Sequence, residues 1–111
     1  MTDSSRDPHK AVNWMMQHAP KFAAAKAQRI YIENFMRSKK ALLMAESDAK
    51  AANEREQYAL AHEDYQALTD GLKAAVEEEE TLLWGLRAAQ ARIEIWRSQE
   101  ASNRTQDKAF R

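Results

Sequence analysis

The chain has 111 residues, with 17 Lys and Arg against 17 Asp and Glu, so it carries no formal net charge and has room for a single domain over 1–111. A mean hydropathy of -0.77, without an apolar run of about 20 residues, excludes a membrane-spanning helix. The absence of cysteine excludes disulfides and thiolate sites, and the opening segment lacks the apolar core of a signal peptide. We therefore expect a protein of a reducing cytoplasm, with no membrane contact.

Helix-breaking residues are scarce, since the chain holds two Gly and two Pro. Asp7 followed by Pro8 predicts a helix N-cap and first helical position, because proline lacks the N–H that is unsatisfied there anyway. A proline also disfavours helical geometry in the residue before it. The sequence therefore predicts a short helix over 8–18 and a separate long helix that begins at Pro20 and covers 20–57.

The long helix 20–57 carries an apolar stripe with a period near 3.5 residues. Ala25, Ile32 and Lys39 are spaced seven apart, and Lys39 interrupts the apolar pattern. Phe35 and Leu42 fill the alternate stripe position, with Met36 and Leu43 beside them. This pattern predicts a buried face along the helix.

A third helix is predicted over 63–104, followed by a flexible tail over 105–111. Its apolar residues keep two heptad positions over more than four heptads, which favours coiled-coil-like packing. Val76 and Leu83 widen this stripe. One heptad position holds Tyr65, Leu72, Glu79, Leu86 and Ile93, and the other holds Leu68, Ala75, Leu82, Ala89 and Trp96.

Between the two long helices the stripe loses phase, which predicts a break near 61–63 with Asp64 as the helix cap. A short connection folds two helices into an antiparallel hairpin. The alternative is one continuous helix. We expect an all-α fold, a long antiparallel coiled-coil-like hairpin with a short N-terminal helix.

Gly71 and Gly85 lie inside the helical pattern, where close helix approach, or a local bend at Gly85, would explain them.

Charge is segregated along the chain. Residues 1–55 hold 10 basic and 6 acidic residues, 56–81 hold 1 and 8, and 82–111 hold 6 and 3. A hairpin would bring the two basic segments together at its open end. The candidate contacts to a nucleic acid or other partner at that end are Lys21, Lys26, Arg29, Arg92, Arg97 and Arg104.

No pattern of catalytic or metal-binding residues is present. His9, His18 and His62 are too far apart in sequence for a helical metal pair. The consecutive glutamates 77–80 point around most of a helix and read as a solvated band. Glu79 alone falls on the stripe, where it could pair with Lys39 and fix the helix register. We expect no enzymatic activity, no metal and no cofactor.

Stripes this narrow bury little surface, and small cores are marginally stable. We therefore expect a homo-oligomer, with an antiparallel dimer of hairpins favoured. The candidate oligomer flank comprises Val76, Leu83 and Trp84.

Three segments, 27–45, 58–68 and 86–104, resemble a family of small helical proteins encoded by tailed bacteriophages and prophages. The most distinctive is 86–104, LRAAQARIEIWRSQEASNR, whereas Glu63 stands where relatives often carry proline. The resemblance implies an accessory role near phage recombination or replication, and it implies no catalytic residues. Two functions are consistent with this: a helical adaptor or modulator that binds a phage or host protein, or a nucleic-acid-binding accessory that uses the basic end.

Overall fold

The computed structural model describes residues 7–109, which form three helices: α1 (Pro8–Glu46), α2 (Ala52–Ala61) and α3 (Glu63–Ala109). The described residues contain no strand, and the prediction of an all-α fold is confirmed. The chain divides into unit 1, the described parts of Met1–Phe22 and Thr81–Arg111, and unit 2, Ala23–Glu80. Within unit 2, α1 and α3 pack as an antiparallel helical hairpin. A single domain over 1–111 stays a prediction.

Helix α1 begins as predicted. The backbone N–H of His9 donates to Asp7 Oδ1 at 2.9 Å. The N–H of Ala11 donates to the carbonyl oxygen of Asp7 at 3.4 Å. Asp7 therefore caps the helix, with Pro8 as its first residue.

The predicted break before Pro20 is wrong, because α1 continues through it from Pro8 to Glu46. Proline in a helix interior removes one backbone hydrogen bond and clashes with the preceding turn, so packing must offset this cost. The buried and half-buried positions of α1 keep a spacing of three and four residues on both sides of Pro20. Within unit 1 these positions include Ala11, His18 and Phe22, and they hold the first turns in helical register.

The predicted long helix 20–57 is also wrong at its C-terminal end, because α1 stops at Glu46 and α2 follows a short loop. In that loop the N–H of Ala49 donates to Ser47 Oγ at 3.2 Å, and the N–H of Ser47 donates to the carbonyl of Met44 at 3.3 Å. Serine offers the backbone these local alternatives to helix hydrogen bonds. The turn signal was the Ser47-Asp48 pair, which contains neither Gly nor Pro.

The predicted break at 61–63 is confirmed, since α2 ends at Ala61 and α3 begins at Glu63. His62 adopts an extended conformation, with φ -65° and ψ 139°. The predicted cap is wrong, because the N–H of Asp64 donates to His62 Nδ1 at 3.1 Å. The N–H of Gln66 donates to the carbonyl of His62 at 3.0 Å. His62 therefore caps α3.

The heptad pattern predicted for α3 is confirmed from Tyr65 to Ile93, where every predicted position is buried or half-buried. Trp96 was wrongly placed in the stripe, since it is 40% exposed. The predicted end at 104 is also wrong, because α3 continues to Ala109, and 105–109 are helical. Residues 110–111 of the predicted tail lie outside the described residues. From Glu94 to Ala109 every residue is exposed.

The stripe of α1 differs from the prediction in one respect. Met36 and Leu43 are buried, whereas Phe35 and Leu42, predicted to lie in the stripe, are 45% and 62% exposed. The buried spacing is three and four residues through 25, 29, 32, 36, 39 and 43, so 35 and 42 fall one residue outside it. We call the seam the contact surface that these α1 positions form with the buried and half-buried heptad positions of α3 in unit 2. Its buried residues include alanines, and Leu43 is the largest fully buried side chain in the described chain.

The two glycines differ in their surroundings. A Cβ at Gly85 would lie 3.1 Å from Trp14 Cζ2 and 3.3 Å from Cζ3, and closer still to Cη2. A Cβ at Gly71 would meet nothing within 4 Å. Close helix approach therefore explains Gly85, within unit 1, and the same explanation is wrong for Gly71.

Candidate interaction surfaces

The seam of unit 2 contains a half-buried ion pair between α1 and α3. Arg29 binds Glu79 through two hydrogen bonds, from Nε to Oε2 and from Nη2 to Oε1, the second at 3.2 Å. Arg29 Nη1 also donates to Glu33 Oε1 at 3.0 Å. The Glu79 residue is 8% exposed. A forked guanidinium fits a carboxylate in this two-bond geometry, which fixes the position of one helix against the other.

Both partners are held in their charged forms. The hydrogen bond from Arg29 lowers the pKa of Glu79, and the charges of Arg29 and Lys26 act in the same direction against the cost of burial. The hydrogen bond to Glu79, followed by the bond to Glu33, raises the pKa of Arg29. The pair therefore persists at neutral pH as a charged contact inside the seam.

The predicted register pair of Lys39 with Glu79 is wrong. Lys39 Nζ lies 3.4 Å from Asp64 Oδ2, and Glu79 takes Arg29 as its partner. The prediction placed the chain reversal at residues 61–63, but the extra helix α2 lies within the reversal. Glu79 is therefore met by a residue ten positions earlier on α1 than Lys39. The prediction that Glu79 occupies a stripe position is confirmed.

Helix α2 contains one completely buried residue and is attached to α1 by an ion pair. Ala59 is completely buried. Lys40 Nζ lies 2.7 Å from Glu56 Oε1, and this hydrogen bond raises the pKa of Lys40. The ion pairs of Lys39 and Lys40 thus link the end of α1 to α3 and to α2.

The six basic residues predicted to contact a nucleic acid or partner have different surroundings. In unit 2, Lys26 is exposed, whereas Arg29 is held by two carboxylates and is not available to bind phosphate. In unit 1, Lys21, Arg92 and Arg104 are exposed, and Arg97 Nη1 lies 3.5 Å from Glu94 Oε1 on the same helix. Sequence reasoning missed the role of Arg29, although its position four residues after Ala25 places it on the seam.

The predicted oligomer flank is exposed only in part. Val76, in unit 2, is 37% exposed. In unit 1, Trp84 is 61% exposed with the guanidinium of Arg87 4.7 Å from its ring centre, and Leu83 is half-buried. Whether these residues bind a second copy stays a prediction.

The outer surface of α1 in unit 2 is a feature that sequence reasoning missed. Of the seven charged residues of α1 from position 23 onward, all except the terminal Glu46 lie outside one arc of about 160°, at 3.6 residues per turn. Within this arc Tyr31 is 63% exposed, beside Phe35 and Leu42. We call this surface the charge-free face, and its members are all exposed: Ala23, Ala24, Ala27, Gln28, Ile30, Tyr31, Asn34, Phe35, Ser38, Ala41, Leu42 and Ala45.

Two further observations bear on function. Among residues 7–109, no group of three or more His, Asp or Glu side chains is placed to hold a metal ion. No helix in the same range has the length and apolar character needed to cross a membrane.

Comparison with protein-family models, curated proteins and solved structures finds no match to this chain.

Proposed function

We propose that this protein is a non-enzymatic helical interaction protein, an adaptor or modulator that acts in the bacterial cytoplasm by binding another protein through helix α1. The observation that carries the proposal is the charge-free face, because Tyr31, Phe35 and Leu42 stand exposed on a chain in which 31% of residues are charged. Exposed apolar patches of this kind mark protein-binding surfaces. The sequence resemblance supports a phage or host protein as the target.

The opposite helix of unit 2 shows what an ordinary solvated surface looks like in this protein. The exposed residues of α3 between 63 and 80 include Glu63, Asp70, Lys73 and Glu78. Both helices have the same long seam, so the difference between their outer surfaces is not required by the hairpin. The absence of charge on α1 therefore favours a binding role for that face over the outer surface of α3.

Site-specific photo-crosslinking in living bacteria tests this proposal. A photoreactive phenylalanine at Phe35 reports on the charge-free face, and the same group at Ala74 reports on the exposed face of α3 as a matched control. We expect protein adducts from position 35 and few from position 74. Equal labelling from both positions, or no labelling at either, would contradict the assignment of the face.

A second candidate function is binding of nucleic acid by the basic residues. The exposure of Lys21, Lys26, Arg92 and Arg104 favours it. The commitment of Arg29 to Glu79, and the neutral net charge, disfavour it. Titration with labelled single- and double-stranded DNA at rising salt tests it, because phosphate contacts give an affinity that falls linearly on a log-log plot. No binding at low salt rejects this function.

A further inference from the structure

The charge-free face is bordered by basic residues on both edges. At 3.6 residues per turn, Arg37 lies about 20° beyond the edge formed by Ile30, and Lys26 lies about 40° beyond it. On the opposite edge, Lys39 lies about 20° beyond Gln28. A partner on this face would therefore meet positive charge beside the apolar surface.

The two acidic residues of α1 from position 23 onward do not cancel this charge. Glu33 accepts a hydrogen bond from Arg29 at 3.0 Å, on the side of the helix toward the seam. Glu46 is the last residue of α1, about 14 Å along the axis from Arg37. Salt screens exposed charges over about 8 Å, so the field along the central turns of the face is positive.

Helix α1 already pairs with acidic residues on its seam side. Three of its five basic residues in unit 2 each bind an acidic residue of another helix. The pairs are Arg29 with Glu79 and Lys39 with Asp64 on α3, and Lys40 with Glu56 on α2. The segment of α3 over 63–80 holds seven acidic residues against one basic residue, beside its heptad stripe. The helix that α1 binds within unit 2 is thus acidic and amphipathic.

The remaining two basic residues, Lys26 and Arg37, lie on one edge of the charge-free face, and both are exposed. Lys26 is near enough for its charge to act on Glu79. Among the described residues, neither takes part in an ion pair. They are 11 residues apart, which is three turns and about 16 Å along the axis. Two carboxylates at that separation on a partner helix would pair with them.

We propose that the charge-free face binds an acidic amphipathic helix of another protein. The uncharged stripe of that helix packs on Tyr31, Phe35 and Leu42. Its acidic edge pairs with Lys26 and Arg37. This inference rests on the proposed function, since it states the chemistry of the partner that the same surface binds.

The three apolar side chains form one ridge along α1. The rings of Tyr31 and Phe35 stack with 6.3 Å between their centres, and Leu42 follows two turns after Phe35. A helix with apolar residues at intervals of three and four packs against a ridge of this spacing. A nucleic acid fits less well, because phosphates need cations across the contact and the arc of about 160° between the edges has none.

Two synthetic peptides test the charge of the partner. Both carry leucine at the a and d positions of three heptads, with either glutamate or lysine at every e and g position. Like charges at these positions also oppose pairing of each peptide with itself. In fluorescence anisotropy with the full chain, we expect the glutamate peptide to bind at least about threefold more tightly, and salt to reduce the difference. Equal affinities, including no measurable binding of either peptide, or tighter binding of the lysine peptide, overturn the inference.

Charge reversal locates the contact. Arg37→Glu is expected to weaken binding of the glutamate peptide by about threefold or more. Lys73→Glu makes the same change of charge on the exposed surface of α3 and is expected to leave this affinity unchanged. Phe35→Gln removes an apolar anchor without adding charge and is expected to weaken both peptides, with unchanged helical circular dichroism. Equal losses in Arg37→Glu and Lys73→Glu would report only the net charge of the chain and overturn the inference.

The photo-adducts from position 35 distinguish this inference from the proposed function. Tandem mass spectrometry of the adduct identifies the crosslinked segment, and we expect acidic residues beside an apolar spacing of three and four. A basic segment, or one without that spacing, refutes the acidic helix and retains the protein-binding role. Adducts with phospholipid alone, with a second copy alone, or none at all refute both.

Discussion

The contrast between the two glycines gives the sharpest test of the packing. Both lie inside helix α3 with ordinary negative φ angles, so alanine fits the backbone at either position. Alanine is favoured over glycine in a helix interior by about 1 kcal/mol. At Gly71 a Cβ would meet nothing within 4 Å, so Gly71→Ala is expected to stabilise the protein by that full amount.

At Gly85 the same substitution meets the indole ring of Trp14. That ring stacks on His18 with 3.8 Å between ring centres and 12° between planes, so it cannot shift without losing this contact. Over-packing of this kind costs about 1 to 3 kcal/mol. After the helix-propensity gain, Gly85→Ala is expected to destabilise the protein by up to about 2 kcal/mol, leaving it about 1 to 3 kcal/mol below Gly71→Ala.

Urea unfolding followed by circular dichroism at 222 nm measures both variants against the wild type. A third protein, carrying Trp14→Leu with Gly85→Ala, is compared with Trp14→Leu alone. Without the indole ring, we expect alanine at position 85 to recover the favourable value seen at Gly71. Equal stabilisation by Gly71→Ala and Gly85→Ala in the wild-type background would refute the close approach of Trp14.

Three further predictions concern Pro20 and the pair of Arg29 with Glu79. Pro20→Ala is expected to stabilise the protein by up to about 3 kcal/mol, because Pro20 lies inside a continuous helix. Thermal melting measures this, and an unchanged melting temperature would indicate that a helix begins at Pro20. Glu79→Gln is expected to lower the melting temperature more than Glu33→Gln does, since Glu79 is the buried partner of Arg29, and equal losses would contradict the importance of the pair. The pKa of Glu79 is lowered in the folded state, so its stabilisation is complete above the unfolded pKa of about 4.3 and is lost as pH falls through the folded value. The melting temperatures of wild type and Glu79→Gln should therefore converge in acid, and a gap that stays constant from pH 7 to pH 2 would contradict this assignment.

The sequence predicted the helical hairpin and most of the α3 seam because these depend on local preference and regular spacing. The heptad positions from Tyr65 to Ile93 repeat without interruption, so any helix there buries the same side. The break at His62 was found from the loss of phase. Capping at Asp7 was found because the Asp-Pro pair has one favourable place in a helix.

Other elements depended on contacts that the sequence does not display. The usual effect of proline predicted a break before Pro20, but α1 continues through it and its buried and half-buried positions keep their spacing on both sides. On α1, Phe35 and Leu42 are larger than several residues that are buried, so hydrophobicity alone assigned them to the wrong side. The spacing that includes Arg29 and Lys39 identifies the true seam, yet charged residues are rarely read as part of one.

The partner of Glu79 could not be predicted for a related reason. Its pairing depends on how many residues connect α1 to α3, and α2 adds to that number. Because α2 was not predicted within the connection, Glu79 was expected to pair with Lys39 instead of Arg29. Long-range register therefore required the structure, although the stripe position of Glu79 on α3 did not.

Every side chain in the last four turns of α3, from Glu94 to Ala109, faces solvent. A helix of this length is marginal in water when nothing packs against it, because each backbone hydrogen bond competes with hydration. Amide protons there should exchange with deuterium long before those near Ala75 and Ala89. Proteases should trim this extension first and leave a shortened protein with its interior intact, so the C-terminus is a convenient place to attach tags or probes.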